Sequence, residues 1–98
     1  DLEEASRGLS LAREAVRSPN HDLVILDEVL SAQQYRLIRE EDILGLLEDW
    51  RREGRAELVL SGRTKLQSVL DAADLVTEMK KVKHYFDAGV PAREGIEY

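Results

Sequence analysis

Residues 22–28 read Asp22-Leu23-Val24-Ile25-Leu26-Asp27-Glu28. Four consecutive apolar residues, two of them β-branched, lie between polar ones. That pattern predicts a strand buried on both faces, the kind found in parallel sheets covered by helices. Two carboxylates stand at its C-terminal end. Upstream, Leu2, Ala5, Leu9, Ala12 and Val16 recur at steps of three and four, which puts them on one helical face. Asp1, Glu3 and Glu4 open that helix, and Arg13 and Arg17 stand near its end, in accord with the helix dipole. Ser18-Pro19-Asn20 stops it. Downstream, Val29 to Ile38 contains a short helix. Glu40-Glu41-Asp42 opens a clearer one, with Ile43, Leu44, Leu47 and Trp50 on its apolar side and Gly54 as its C′ stop.

Leu58-Val59-Leu60 is a second short strand, ending in Ser61-Gly62-Arg63. Thr64-Lys65-Leu66-Gln67 has capping-box spacing, and Leu66, Val69, Leu70 and Ala73 form a helical stripe behind it. Leu75 to Met79 reads as a third strand. Lys80 to Tyr98 reads as a tail of loop with short extended pieces. Strands alternating with helices imply an α/β layer fold, and right-handed crossovers make its strands parallel. Three strands leave sheet edges that need covering. The chain begins with Asp1, so it is expected to be the remainder of something longer.

Composition narrows the classes of function. The 98 residues allow one small domain with a modest core. The absence of cysteine excludes disulfides, thiolate metal sites and a cysteine nucleophile, and accords with a reducing, cytoplasmic setting. The 20 acidic and 14 basic side chains give a formal charge of −6, which argues against a nucleic-acid partner. No apolar run approaches the roughly 18–20 residues of a membrane span. His21 and His84 have no ligand-spaced partners, which predicts no histidine metal site. Trp50 reads as a helix-face packing residue, and Tyr85 and Phe86 as residues of core or interface.

Three stretches carry chemistry, each with a plainer alternative. An apolar strand ending in Asp27-Glu28 is the Walker B pattern, in which a rigid strand presents a carboxylate to magnesium. The plain reading is a strand that turns out into a charged loop. Ser61-Gly62-Arg63 lies between a strand and a helix, where glycine permits close approach and arginine can fork two hydrogen bonds to an anion. The plain reading is a turn with a solvated arginine. Lys80-Lys81-Val82-Lys83-His84 is a basic cluster, facing either a polyanion or water. No Gly-x-x-x-x-Gly-Lys-Ser/Thr phosphate loop occurs.

In order and spacing, four stretches together resemble the P-loop type ATP:corrinoid adenosyltransferases of cobalamin biosynthesis and salvage. These are Asp22 to Glu28, Ser61-Gly62-Arg63, Ala73-Asp74-Leu75-Val76-Thr77-Glu78-Met79, and the run from Val82 to Tyr98. The last is the most specific, and a generic P-loop ATPase has no need of it. The resemblance spans the chain but only the C-terminal portion of a family member. It implies a three-layer, parallel-sheet, RecA-like P-loop fold, magnesium, and a homodimer. It also implies a reaction in which a Co(I) corrinoid attacks the 5′ carbon of ATP and triphosphate leaves. Glu28 matches the magnesium position, with Asp27 in support. Arg63 matches the arginine that faces the nucleotide and corrinoid, and is the catalytic candidate. Lys83 and His84 match the tail motif and count as substrate-binding candidates. The family's Gly-x-Gly-Lys-Gly-Lys-Thr loop is missing, as is the stretch with most corrinoid contacts, and Ser61 replaces the usual threonine. The whole protein is thus expected to be an adenosyltransferase and the chain alone inactive. The alternative is a non-catalytic truncated paralogue that acts as a binding or assembly module.

Overall fold

A computed structural model describes all 98 residues. Its elements are α1 (Leu2–Arg17), β1 (Leu23–Leu26), α2 (Val29–Gln34), α3 (Glu40–Glu53), β2 (Glu57–Leu60) and α4 (Gln67–Ala72), followed by a 3-10 turn at Tyr85–Ala88. The two strands pair in parallel, with Leu23 opposite Glu57 and Leu26 opposite Leu60. The crossover between them is α2 and α3.

Local sequence accounts for the helix ends. Asp1 accepts a 2.8 Å bond from the Glu4 amide at the start of α1. This satisfies one of the donors a helix leaves unpaired at its N-terminus. The Asp42 carboxylate reaches back to the Arg39 amide at 2.9 Å and does the same for α3. Gly54 ends α3 as expected, but at φ −75°, outside the left-handed region. Its need for glycine is one of space, because a Cβ there would lie 2.6 Å from the Trp50 carbonyl oxygen.

Helices cover one side of the sheet. Val16 of α1 and Leu46 of α3 pack with Ala12, Val24 and Ala56 in one apolar cluster. Leu30, Ile38, Ile43 and Val69 form a second, on which Leu60 and Leu66 rest. Val16, Ile43 and Leu46 are fully buried. Burial of each such side chain contributes about 1.5–3 kcal/mol relative to exposure. Trp50 is a packing residue, and its indole N–H donates to the Ala56 carbonyl at 2.7 Å. Between α1 and α3, Asp49 is the one buried acid, with Arg17 and Arg52 each at 2.9 Å and Arg13 at 3.9 Å.

Several expectations need correcting. β1 is buried on one face only: Val24 is enclosed while Leu23 and Ile25 remain 54% and 59% exposed. Val59 of β2 shares the bare side. The sheet has two strands, not three, because Leu75–Met79 forms no strand. A strand requires a hydrogen-bonded neighbour, and this segment has none. Thr64 does not cap α4, whose N-cap is Leu66; its hydroxyl instead accepts from the Leu66 amide two residues on, a local turn. Tyr85 and Phe86 are exposed and join no core cluster of the chain, so of the core and interface readings it is the core one that fails.

Every residue from Ala73 to Tyr98 is exposed. From Leu75 onward this arm makes no hydrogen bond or ion pair to the rest of the chain; those it has are internal, such as Lys81–Asp87 and Arg93–Glu97.

Candidate functional site

The parallel register puts Leu26 beside Leu60, so the residues that follow, Asp27 and Ser61, meet at the same end of the sheet. This corner joins two of the stretches singled out in the sequence. The Ser61 hydroxyl donates to Asp27 Oδ1 at 2.8 Å and accepts from the Glu28 amide at 3.0 Å. Backbone bonds Ser61 N to Leu26 O and Leu30 N to Ser61 O, both 3.2 Å, stitch the end of β2 to the end of β1 and to the first turn of α2.

Glu28 sits at φ 61°, ψ 16°, a left-handed conformation uncommon for any residue but glycine. Its carbonyl accepts from Ala32 N at 3.0 Å and starts α2. Its carboxylate takes part in no ion pair or hydrogen bond. An open cleft of about 320 Å³ adjoins it, walled by Ala5, Leu9 and Ala12 of α1, by Ile25 and Val29, and by the two acids.

Gly62 holds the corner tight. It has φ 133°, and a Cβ there would stand 2.6 Å from the Ser31 amide nitrogen and 2.9 Å from Ser31 Oγ. That approach lets the Ser31 hydroxyl accept from the Arg63 amide at 2.9 Å. The Arg63 guanidinium is exposed and takes part in no ion pair. Asp27, Glu28 and Arg63 therefore share one scaffold, and two of its charged side chains, Glu28 and Arg63, are unengaged.

Lys83 and His84 are not tied to this corner. Both lie on the exposed arm, where His84 Nδ1 accepts from the Phe86 amide at 3.0 Å and the imidazole stacks on Tyr85 at 5.0 Å. Sequence reasoning missed Ser31. Its one signal is a buried serine inside an apolar helix turn, which spacing rules do not single out. No group of three or more His, Asp or Glu side chains gathers around a common point.

A family profile described as ATP:corrinoid adenosyltransferase BtuR/CobO/CobP matches residues 1–98. The chain belongs to this family. Among curated relatives, Corrinoid adenosyltransferase CobA of Salmonella typhimurium is 39% identical over 80 residues, covering 82% of this chain and 40% of that protein. A corrinoid adenosyltransferase of Sinorhizobium is 32% identical over all 98 residues and 45% of its own length. One from Escherichia coli K12 is 33% identical over 87 residues, covering 89% of this chain and 43% of that protein. The chain thus spans less than half the length of these relatives. No helix in it is long and apolar enough to cross a membrane.

Proposed function

We propose that residues 1–98 are the C-terminal portion of a corrinoid adenosyltransferase domain with a RecA-like fold, and that the whole protein transfers the 5′-deoxyadenosyl group of ATP to a reduced corrinoid. In this reaction a cobalt–carbon bond forms at the 5′ carbon as the carbon–oxygen bond to triphosphate breaks. The observation that carries the reading is the corner itself: Glu28 and Arg63, at family motif positions, are held unengaged on one scaffold where the two strands end.

The donor set suits magnesium. That ion takes one or two carboxylates and keeps its other positions for water and phosphate oxygens. Glu28 offers a free carboxylate, and Asp27 has one oxygen left after its bond with Ser61. Glu28 would hold the ion, with Asp27 in support. Magnesium, when bound, neutralises charge on the triphosphate. Arg63 brings a second positive charge to the leaving group, and Lys83 and His84 contribute only once the arm lies against the rest of the domain. We place the protein in the cytoplasm as a homodimer.

Expression of the complete reading frame tests this. The upstream sequence carries a Gly-x-Gly-Lys-Gly-Lys-Thr loop, and the complete protein converts Co(I) corrinoid and ATP to the adenosylated product, followed by its visible absorbance. The chain alone shows no turnover and weak ATP affinity. An inactive complete protein, or an upstream sequence without the loop, refutes the reading.

A second reading is favoured by the two open edges of the two-stranded sheet and by the uncovered arm: a truncated paralogue that completes its sheet with another chain. A start codon immediately before Asp1 selects it. A chain that is monomeric alone and finds no partner sinks it.

A further inference from the structure

A glutamate at φ 61° does not hold that conformation unaided. Its amide donates to Ser61 Oγ, and the same hydroxyl donates to Asp27 Oδ1, which fixes the direction of the hydroxyl hydrogen and turns a lone pair toward the amide. We propose that Ser61 is a positioning residue, whose hydroxyl is latched between the Asp27 carboxylate and the Glu28 amide and so fixes the left-handed backbone from which the Glu28 carboxylate is offered. Asp27 is then chiefly the orienter of the latch, and Glu28 is the acid left free.

The surroundings agree. Ser61 also bonds through its backbone on both sides, to Leu26 O and from Leu30 N, so the hydroxyl has little freedom to drift. Ser31 repeats the device at Arg63, whose amide it accepts at 2.9 Å. Two serine hydroxyls therefore fix the backbone at the two free charges of the corner. The role given to the Glu28 carboxylate rests on the proposed function; the latch on its backbone does not.

The test compares Ser61→Thr with Ser61→Val in the full-length protein. The two side chains have the same shape and differ in the hydroxyl alone. The first measurement is hydrogen exchange at the Glu28 amide by NMR. The second is calorimetric ATP binding across a magnesium titration. The threonine variant matches the natural protein in both. The valine variant exchanges the Glu28 amide about tenfold faster, and its half-saturating magnesium concentration rises at least about fivefold, since the hydroxyl's bonds to the Glu28 amide and to Asp27 are both lost. ATP affinity without magnesium stays the same.

Equal exchange in the two variants overturns the latch. Faster exchange with an unmoved magnesium midpoint overturns its positioning role, as does a valine variant that loses only thermal stability. A natural protein that shows no magnesium-dependent ATP binding strikes the proposed function instead, and the exchange comparison still decides the latch.

Discussion

Gly62→Ala is the sharpest single test of the corner. The backbone at Gly62 has φ 133°, where a side chain costs about 1–3 kcal/mol. The new methyl also has nowhere to go. It would stand 2.6 Å from the Ser31 backbone nitrogen and 3.0 Å from Leu30 Cβ, where ordinary contact begins near 3.4 Å. To bring that 2.6 Å approach out to 3.4 Å, the first turn of α2 has to retreat by about 0.8 Å. That movement stretches the Leu30 N to Ser61 O bond, already 3.2 Å, and the Arg63 N to Ser31 Oγ bond of 2.9 Å. Two weakened hydrogen bonds add about 1–2 kcal/mol, so the total loss is about 2–5 kcal/mol. Urea denaturation of the full-length protein measures it, with Gly89→Ala as the control. Gly89 has φ 93° but nothing within 4 Å of an added Cβ, so it registers backbone strain without crowding. If Gly62→Ala costs no more than Gly89→Ala, the close approach of Gly62 to α2 does not hold the corner and the reasoning fails.

Three further outcomes are expected. Glu28→Gln lowers turnover of the full-length protein on the order of 100-fold while its urea midpoint stays put, since the carboxylate contributes no ion pair to the fold; equal turnover removes Glu28 from the site. Asp49→Ala leaves Arg17 and Arg52 without the carboxylate each meets at 2.9 Å between α1 and α3. After discounting for half-exposed arginines it costs about 1–3 kcal/mol, and a loss that does not shrink in high salt would refute the electrostatic account. The bond from the Arg39 amide, helped by the Arg39 guanidinium, holds the Asp42 carboxyl below its ordinary value of 3.8. A depressed folded value means that its stabilisation is present above the unfolded value and is lost as pH falls through the folded one. Asp42→Asn therefore destabilises at pH 7, and the gap to the natural protein closes below about pH 3.8; a gap constant with pH contradicts it.

What the sequence made legible was local. The α1 stripe, the acids that open α1 and α3, the stop after Arg17 and both strands follow from periodicity and capping, which need no distant partner. The corner was half legible. Asp27-Glu28 and Ser61-Gly62-Arg63 stood out as separate stretches, yet their meeting depends on strand register, which no single stretch encodes. Ser31 was invisible because its role is to accept from the amide of a residue 32 positions away. The two-sided burial expected of β1 and the strand expected at Leu75–Met79 fail for a shared reason. Apolar composition states what a segment is suited to, and its neighbours determine whether that is realised.

The apolar surface left uncovered bears on what stabilises the chain. Apolar residues make up 43% of the sequence, yet only nine hydrophobic side chains are buried. Leu75, Val76, Met79, Val82, Phe86, Ile96 and Tyr98 lie on an arm that is exposed throughout, and Leu23, Ile25 and Val59 lie on the bare side of the sheet. Covering one such side chain contributes about 1.5–3 kcal/mol, so covering even four of them rivals the 5–15 kcal/mol by which a typical domain is stable. The composition is therefore suited to a larger body than these residues form, in agreement with relatives more than twice as long. It also separates two kinds of candidate site residue. Glu28 and Arg63 stand on a scaffold that the chain builds from its own hydrogen bonds, whereas Lys83 and His84 stand on an arm whose position depends on what covers it. Variants at the first pair should behave alike in any context that keeps the corner folded, while those at the second pair acquire a function only where the arm is docked.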